Sequence, residues 1–379
     1  MSNYLYLDDA DFNQIQAFTD AIGNEQAGLS IEHRKPRRFD EQIDVLTKAF
    51  SQNEFDGLIL DLWLHQFANT KGEKANYRAP TLAQQLRTLG TEGKLEEFPI
   101  VLWSDDQKLK KSYSSDESAH DLFDLTCSKE DLAKTEIRSQ IALQLESLVS
   151  GYRKIRQVRA NNTRLYKFLG FSEPPDFLDP RINEFFEARE GRPPVHEYAR
   201  FILKELLLVQ GVLIDELTVA ARLGVDAKAS NSWDKLKNLL QSGEYQGAFK
   251  EGWSRWWAVS LESWWRSLAD DMPPLQATPA PKRIELIREH TKLRELRAAK
   301  PIAKNYSGAF WTVCQATGKP LDPRDGLIID RPNAKLWQDK LYVSLHAELD
   351  RERKLKGFRL DPLDKGRRSR LEARLAAVS

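Results

Sequence analysis

Five polar residues, Asp8, Asp9, Asp61, Ser104 and Lys129, each follow a short apolar run. The runs are Tyr4-Leu5-Tyr6-Leu7, Leu58-Ile59-Leu60, Pro99-Ile100-Val101-Leu102-Trp103 and the weaker Leu122 to Cys127. An acid closing a buried strand, as Asp61 closes FDGLILD, needs partners. Three carboxylates at one sheet edge repel each other unless a hard divalent cation sits among them, and Mg²⁺ suits such oxygen donors. The metal would screen an incoming phosphate and leave one carboxylate free to attack phosphorus. A lysine and a hydroxyl could then hold the phosphoryl oxygens.

Those residues need strands to carry them. Helical spacing over residues 11–22 and 81–89 alternates with the apolar runs, and this alternation predicts an α/β fold with a parallel sheet. In open parallel sheets, sites form beyond the carboxyl ends of the strands, where these polar residues fall.

At these positions the chain resembles the receiver domain of two-component response regulators over about residues 1–150. The matching stretches are YLYLDD, FDGLILDLWL, PIVLWS and DLTCSK, in the family's order. The resemblance implies a doubly wound, five-stranded, flavodoxin-like parallel sheet. It also implies Mg²⁺ at Asp8, Asp9 and Asp61 with the backbone carbonyl of Trp63, Asp61 as phospho-acceptor, Ser104 as switch hydroxyl and Lys129 as phosphate-binding lysine. A histidine-kinase-like protein would be the phosphoryl donor. The chain departs from the family in a polar insertion, HQFANTKGEKANYRAP, and in Thr126 where an aromatic switch residue often stands. Glu130 follows the lysine where proline is usual. Asp105 stands where a small residue is usual, and a second anion there would disfavour a phosphorylated Asp61. A pseudo-receiver, keeping the fold and regulating by binding alone, is the competing expectation.

Ile137, Ile141, Leu145, Leu148, Tyr152, Ile155 and Val158 recur at helical spacing, within a connecting amphipathic helix placed at 130–169. This face would pack on its own chain or pair two copies as a homodimer through 137–158. Residues 170–270 read as a helical output domain, with helices expected at 196–209, 215–223, 232–241 and 247–269. Trp253, Trp257, Leu261, Trp264 and Leu268 would share one face of the last, as core or, if exposed, as a docking surface for a protein partner. DMPPLQATPAPK (271–282) reads as a linker to a charged region, 283–379, in which GLIID and KLYVSL could form a small hairpin. Residues 351–379 carry ten Lys/Arg against four Asp/Glu.

Composition excludes more than it assigns. Net charge is +1, so global charge favours neither nucleic acid nor membrane, and two cysteines among 379 residues exclude a disulfide scaffold. With no signal-like N-terminus and no apolar run of membrane-spanning length, the expectation is a soluble cytoplasmic protein. The histidines show no ligand spacing, HEYAR lacks the second histidine of a zinc-protease helix, and ATGKP is no P-loop. No catalytic constellation is legible beyond residue 150, so the chain reads as a regulator and not an enzyme. The alternatives are a DNA-binding regulator, using residues 215–241 or the basic tail, and an enzyme with a site hidden in the output region.

Overall fold

The computed structural model describes residues 2–68, 72, 74–109, 117–132, 134–161, 164–187, 192–350 and 357–376. It forms two compact units. The first comprises residues 1–175, 183–204 and 246–253, and the second residues 176–182, 205–245 and 254–379.

The first unit is built on five parallel strands: β1 (Ser2–Leu7), β2 (Leu29–Arg34), β3 (Gly57–Asp61), β4 (Ile100–Ser104) and β5 (Leu125–Ser128), in the order β2-β1-β3-β4-β5. Helices α1 (Phe12–Gly23), α2 (Phe39–Ser51) and α3 (Ala79–Thr91) connect them. The three central strands are apolar on both faces because both are covered. Leu5, Leu7, Leu58, Leu60, Ile100 and Leu102 share one core with Leu46 and Phe50 of α2 and Leu82 and Leu86 of α3. On the other face the Phe18 ring of α1 meets Trp103 edge-on at 5.5 Å. There the Tyr4 hydroxyl also donates to the Leu145 carbonyl at 2.7 Å. Gly57 is required beneath Tyr4, since a Cβ there would stand 2.3 Å from the ring.

Leu145 belongs to the long helix α6 (Thr135–Asn161), which follows the short turns α4 (Asp106–Lys108) and α5 (Lys129–Leu132). The expected apolar face of α6 exists, but Ile141, Leu145, Leu148, Tyr152 and Ile155 are buried within this unit. A homodimer through 137–158 would need that face free. A buried network fixes α6 to the sheet: Asp124 accepts from Arg87 at 2.8 Å, from the Tyr152 hydroxyl at 2.8 Å and from Ile100 N–H at 2.8 Å.

In the second unit, helices Glu216–Leu223, Trp233–Leu239, Ala258–Arg266 and Ala280–Thr291 gather Val219, Leu223, Leu236, Leu261, Trp265 and Ile284 into one core. The expected hairpin forms between Gly326–Ile328 and Tyr342–Ser344, which pair antiparallel. Two expectations need correction here. The helix over 247–269 is confined to Ala258–Arg266, with Trp256–Trp257 in a strand. Of the expected stripe, Trp253, Trp257 and Leu261 are buried and Trp264 and Leu268 pack partly buried against the core, in keeping with the core reading. Residues 271–282 are no linker: Leu275 and Thr278 are buried, and the Trp265 indole donates to the Pro273 carbonyl at 2.7 Å. Within 215–241, the stretch of the DNA-binding alternative, residues 224–232 separate the helices Glu216–Leu223 and Trp233–Leu239, more than the three- or four-residue turn of a helix-turn-helix. Ser230, between these helices, accepts from Arg297 N–H at 2.8 Å and donates to the Asp226 carbonyl at 2.6 Å.

Among the described residues no helix is long and apolar enough to cross a membrane.

Candidate functional site

Parallel register brings the strand ends together. Leu7 is level with Leu60, so Asp8 and Asp61 are the next level, at the point where β2 and β3 leave β1 on opposite sides. This is the topological switch point at which such sheets bind ligands. Trp103 is level with Asp61, and Ser104 with Ser128, so Ser104 lies one step and Lys129 two steps beyond Asp61.

Lys129 joins two of the carboxylates. Its Nζ donates to Asp8 Oδ2 at 2.7 Å and to Asp61 Oδ1 at 2.8 Å. Asp8 also accepts from the Tyr6 hydroxyl and from Ala10 N–H at 2.8 Å. Burial alone would push the Asp8 carboxyl up, but Lys129 and these hydrogen bonds bring it below the ordinary carboxylate value. Asp61 is fully buried and its carboxyl lies above the ordinary value. Burial is the largest cause, and Asp8 adds to it against the pull of Lys129. Burial would lower the Lys129 ammonium, yet the two carboxylates raise it, so it stays charged.

The other expected residues are placed differently. Asp9 does not converge on Asp61: its Oδ2 accepts the backbone N–H groups of Gln66 and Phe67, at 2.5 and 2.7 Å. Trp63 turns its N–H to Asp61 Oδ2, at 2.9 Å. Ser104 is fully buried and its hydroxyl has no partner among the described residues.

Sequence reasoning missed three participants. Gln66 and Phe67, in the polar insertion, supply the donors that hold Asp9. Lys108 lies 3.6 Å from Asp61 Oδ2 and 3.0 Å from Asp105. No spacing rule marks a lysine four residues beyond the switch hydroxyl, and backbone donors leave no trace in residue type.

A cavity of about 490 Å³ opens over these groups, lined by Asp8, Asp9, Asp105, Lys108, Lys129 and Phe67 among others. The carboxylates are hard oxygen donors of the kind Mg²⁺ takes. In the arrangement described, Lys129 stands between Asp8 and Asp61, and no three acidic, histidine or cysteine side chains gather as a metal site among the described residues.

The second unit has its own groove of about 400 Å³, walled by Trp257, Trp311 and Trp337. Its buried Arg222 is committed to Asp339 at 2.6 Å and to the Trp311 ring, 4.4 Å from the centroid. Comparison with protein-family models and with curated proteins returned no match for this chain.

Proposed function

We propose that the first unit is a receiver-like regulatory domain that takes a phosphoryl group on Asp61 from a histidine-kinase-like partner and passes its state to the second unit. The reading rests on one observation above the others: Asp8, Asp61 and Lys129 meet at the switch point of a 2-1-3-4-5 parallel sheet. The Ser104 hydroxyl, one residue past the register partner of Asp61 and without a partner among the described residues, adds a ready donor for a phosphoryl oxygen.

In the transfer, an Asp61 carboxylate oxygen forms a bond to phosphorus while the donor's P–N bond breaks. The electron pair leaves with the imidazole, which takes up a proton. Asp8, Asp9 and Asp61 with the Trp63 carbonyl would hold Mg²⁺ only once Asp9 leaves the Gln66 and Phe67 N–H groups and Lys129 leaves the gap between Asp8 and Asp61; its charge would then offset that of the reacting oxygens. Lys129 would release Asp8 and take a phosphoryl oxygen, and Ser104 would donate to another. The output would act through protein contacts of the second unit.

The pseudo-receiver reading has its own support, because Asp61 is fully buried beneath Lys129 and Lys108. Titration with beryllofluoride and Mg²⁺, followed by tryptophan fluorescence, separates the two. Saturable binding by the wild type that Asp61→Asn abolishes supports the receiver; equal responses, or none, support the pseudo-receiver.

A further inference from the structure

Asp105 directly follows Ser104, where a second anion would repel a phosphoryl group on Asp61. The structure gives that anion a partner. The three-residue step from Asp105 to Lys108 puts both side chains on one face of the turn α4, as helical spacing requires. Lys108 Nζ lies 3.0 Å from Asp105 Oδ2 and 3.6 Å from Asp61 Oδ2. Lys129 holds Asp61 Oδ1 at 2.8 Å, so the two oxygens of Asp61 face different ammonium groups. The Lys108 ammonium also stands 5.7 Å from the centroid of the Trp63 ring, which limits where the flexible side chain can go. Its side chain is 19% exposed and lines the cavity over the site, together with Asp8, Asp9, Asp105 and Lys129.

We propose that Lys108 is a second phosphate-binding cation of the Asp61 site, with Asp105 as the counter-ion that positions it. This assignment rests on the receiver reading above. A phosphoryl group presents three outer oxygens, each able to accept more than one contact, and nearly two negative charges, so a further cation has a place beside Lys129, Ser104 and a bound Mg²⁺. Lys108 supplies the third donor from the Oδ2 side of the carboxylate. It transfers no proton: the bond to phosphorus forms at Asp61, the donor's bond breaks with its electron pair, and Lys108 contributes charge alone. Asp105 thereby changes meaning. Paired to Lys108, it no longer presents a bare anion to the phosphoryl group.

The test is the beryllofluoride and Mg²⁺ titration, run on the whole chain as wild type, Asp61→Asn, Lys108→Ala, Lys108→Arg and Lys108→Ala/Asp105→Ala. Lys108→Ala is expected to weaken binding about tenfold, in line with loss of one charge-assisted contact. Lys108→Arg, which keeps the charge, should restore affinity to within about threefold of wild type and so shows that the site still folds. The double variant should recover only part of the loss, because removing Asp105 relieves repulsion but returns no donor. Binding by Lys108→Ala equal to or tighter than wild type overturns the assignment while the receiver reading stands. Full recovery in the double variant also overturns it, reducing Lys108 to a neutraliser of Asp105. No binding by wild type brings down the receiver reading itself, and the assignment with it.

Discussion

At the residue scale one ammonium group, that of Lys129, bridges Asp8 and Asp61. Lys129 is about one quarter exposed, whereas Asp8 and Asp61 are almost wholly buried. Removing the cation leaves two buried carboxylates facing each other, so Lys129→Met should destabilise the first unit by roughly 2–3 kcal/mol, read by denaturant unfolding. Asp61→Asn should act in the opposite direction. The Asp61 carboxyl titrates above its unfolded value, so its charged form weakens the fold once pH exceeds the ordinary carboxylate range, and that penalty is absent below about pH 3.9. The variant is therefore expected to gain stability at neutral pH, with the gain vanishing below about pH 4. Asp8 has the reverse sign: its carboxyl is lowered, and its contribution disappears as pH falls through that lowered value. Asp8, Asp61, Ser104 and Lys129 were legible in the sequence because residue type and strand-end position mark them. The orientation of Asp9 was not, since it depends on two backbone N–H groups from an insertion that resembles ordinary loop.

At the element scale, burial explains which readings held. The strands β1, β3, β4 and β5 announce themselves as apolar runs, but β2 (LSIEHR) lies at the edge and is half polar, so its pattern is weak. The Trp-rich stretch misled because aromatic residues at helical spacing also suit a turn followed by a strand, and tertiary packing chose the latter. Helix α6 offers a test of packing against propensity. Gly151 lies in its interior, where alanine would ordinarily gain about 1 kcal/mol. A Cβ there would stand 2.1 Å from the Phe249 ring, and Phe249 is itself buried with a left-handed backbone, φ 70°. Gly151→Ala should therefore lower stability by about 1–3 kcal/mol, a reversed sign that a thermal melt would show. Asp124→Ala strips the partner from the buried Arg87 and should cost about 3–5 kcal/mol by the same measurement.

At the scale of the whole molecule, the chain comprises two compact units whose boundaries cross the sequence several times. Residues 183–204 and 246–253 return to the first unit, a pattern that no composition shift reveals. Glu97 shows how such a return is fastened: its carboxylate accepts the N–H groups of Val195 and His196, at 2.6 and 2.9 Å. Two units predict two unfolding steps in calorimetry. Beryllofluoride with Mg²⁺ should raise the midpoint of the step that belongs to the first unit and leave the other in place. The measurement that tests the central claim most directly is intact mass after incubation with acetyl phosphate and Mg²⁺. The account predicts one added phosphoryl group on the wild type, released by hydroxylamine as an acyl phosphate must be, and none on Asp61→Asn. An unmodified wild type, or equal modification of both proteins, would contradict it.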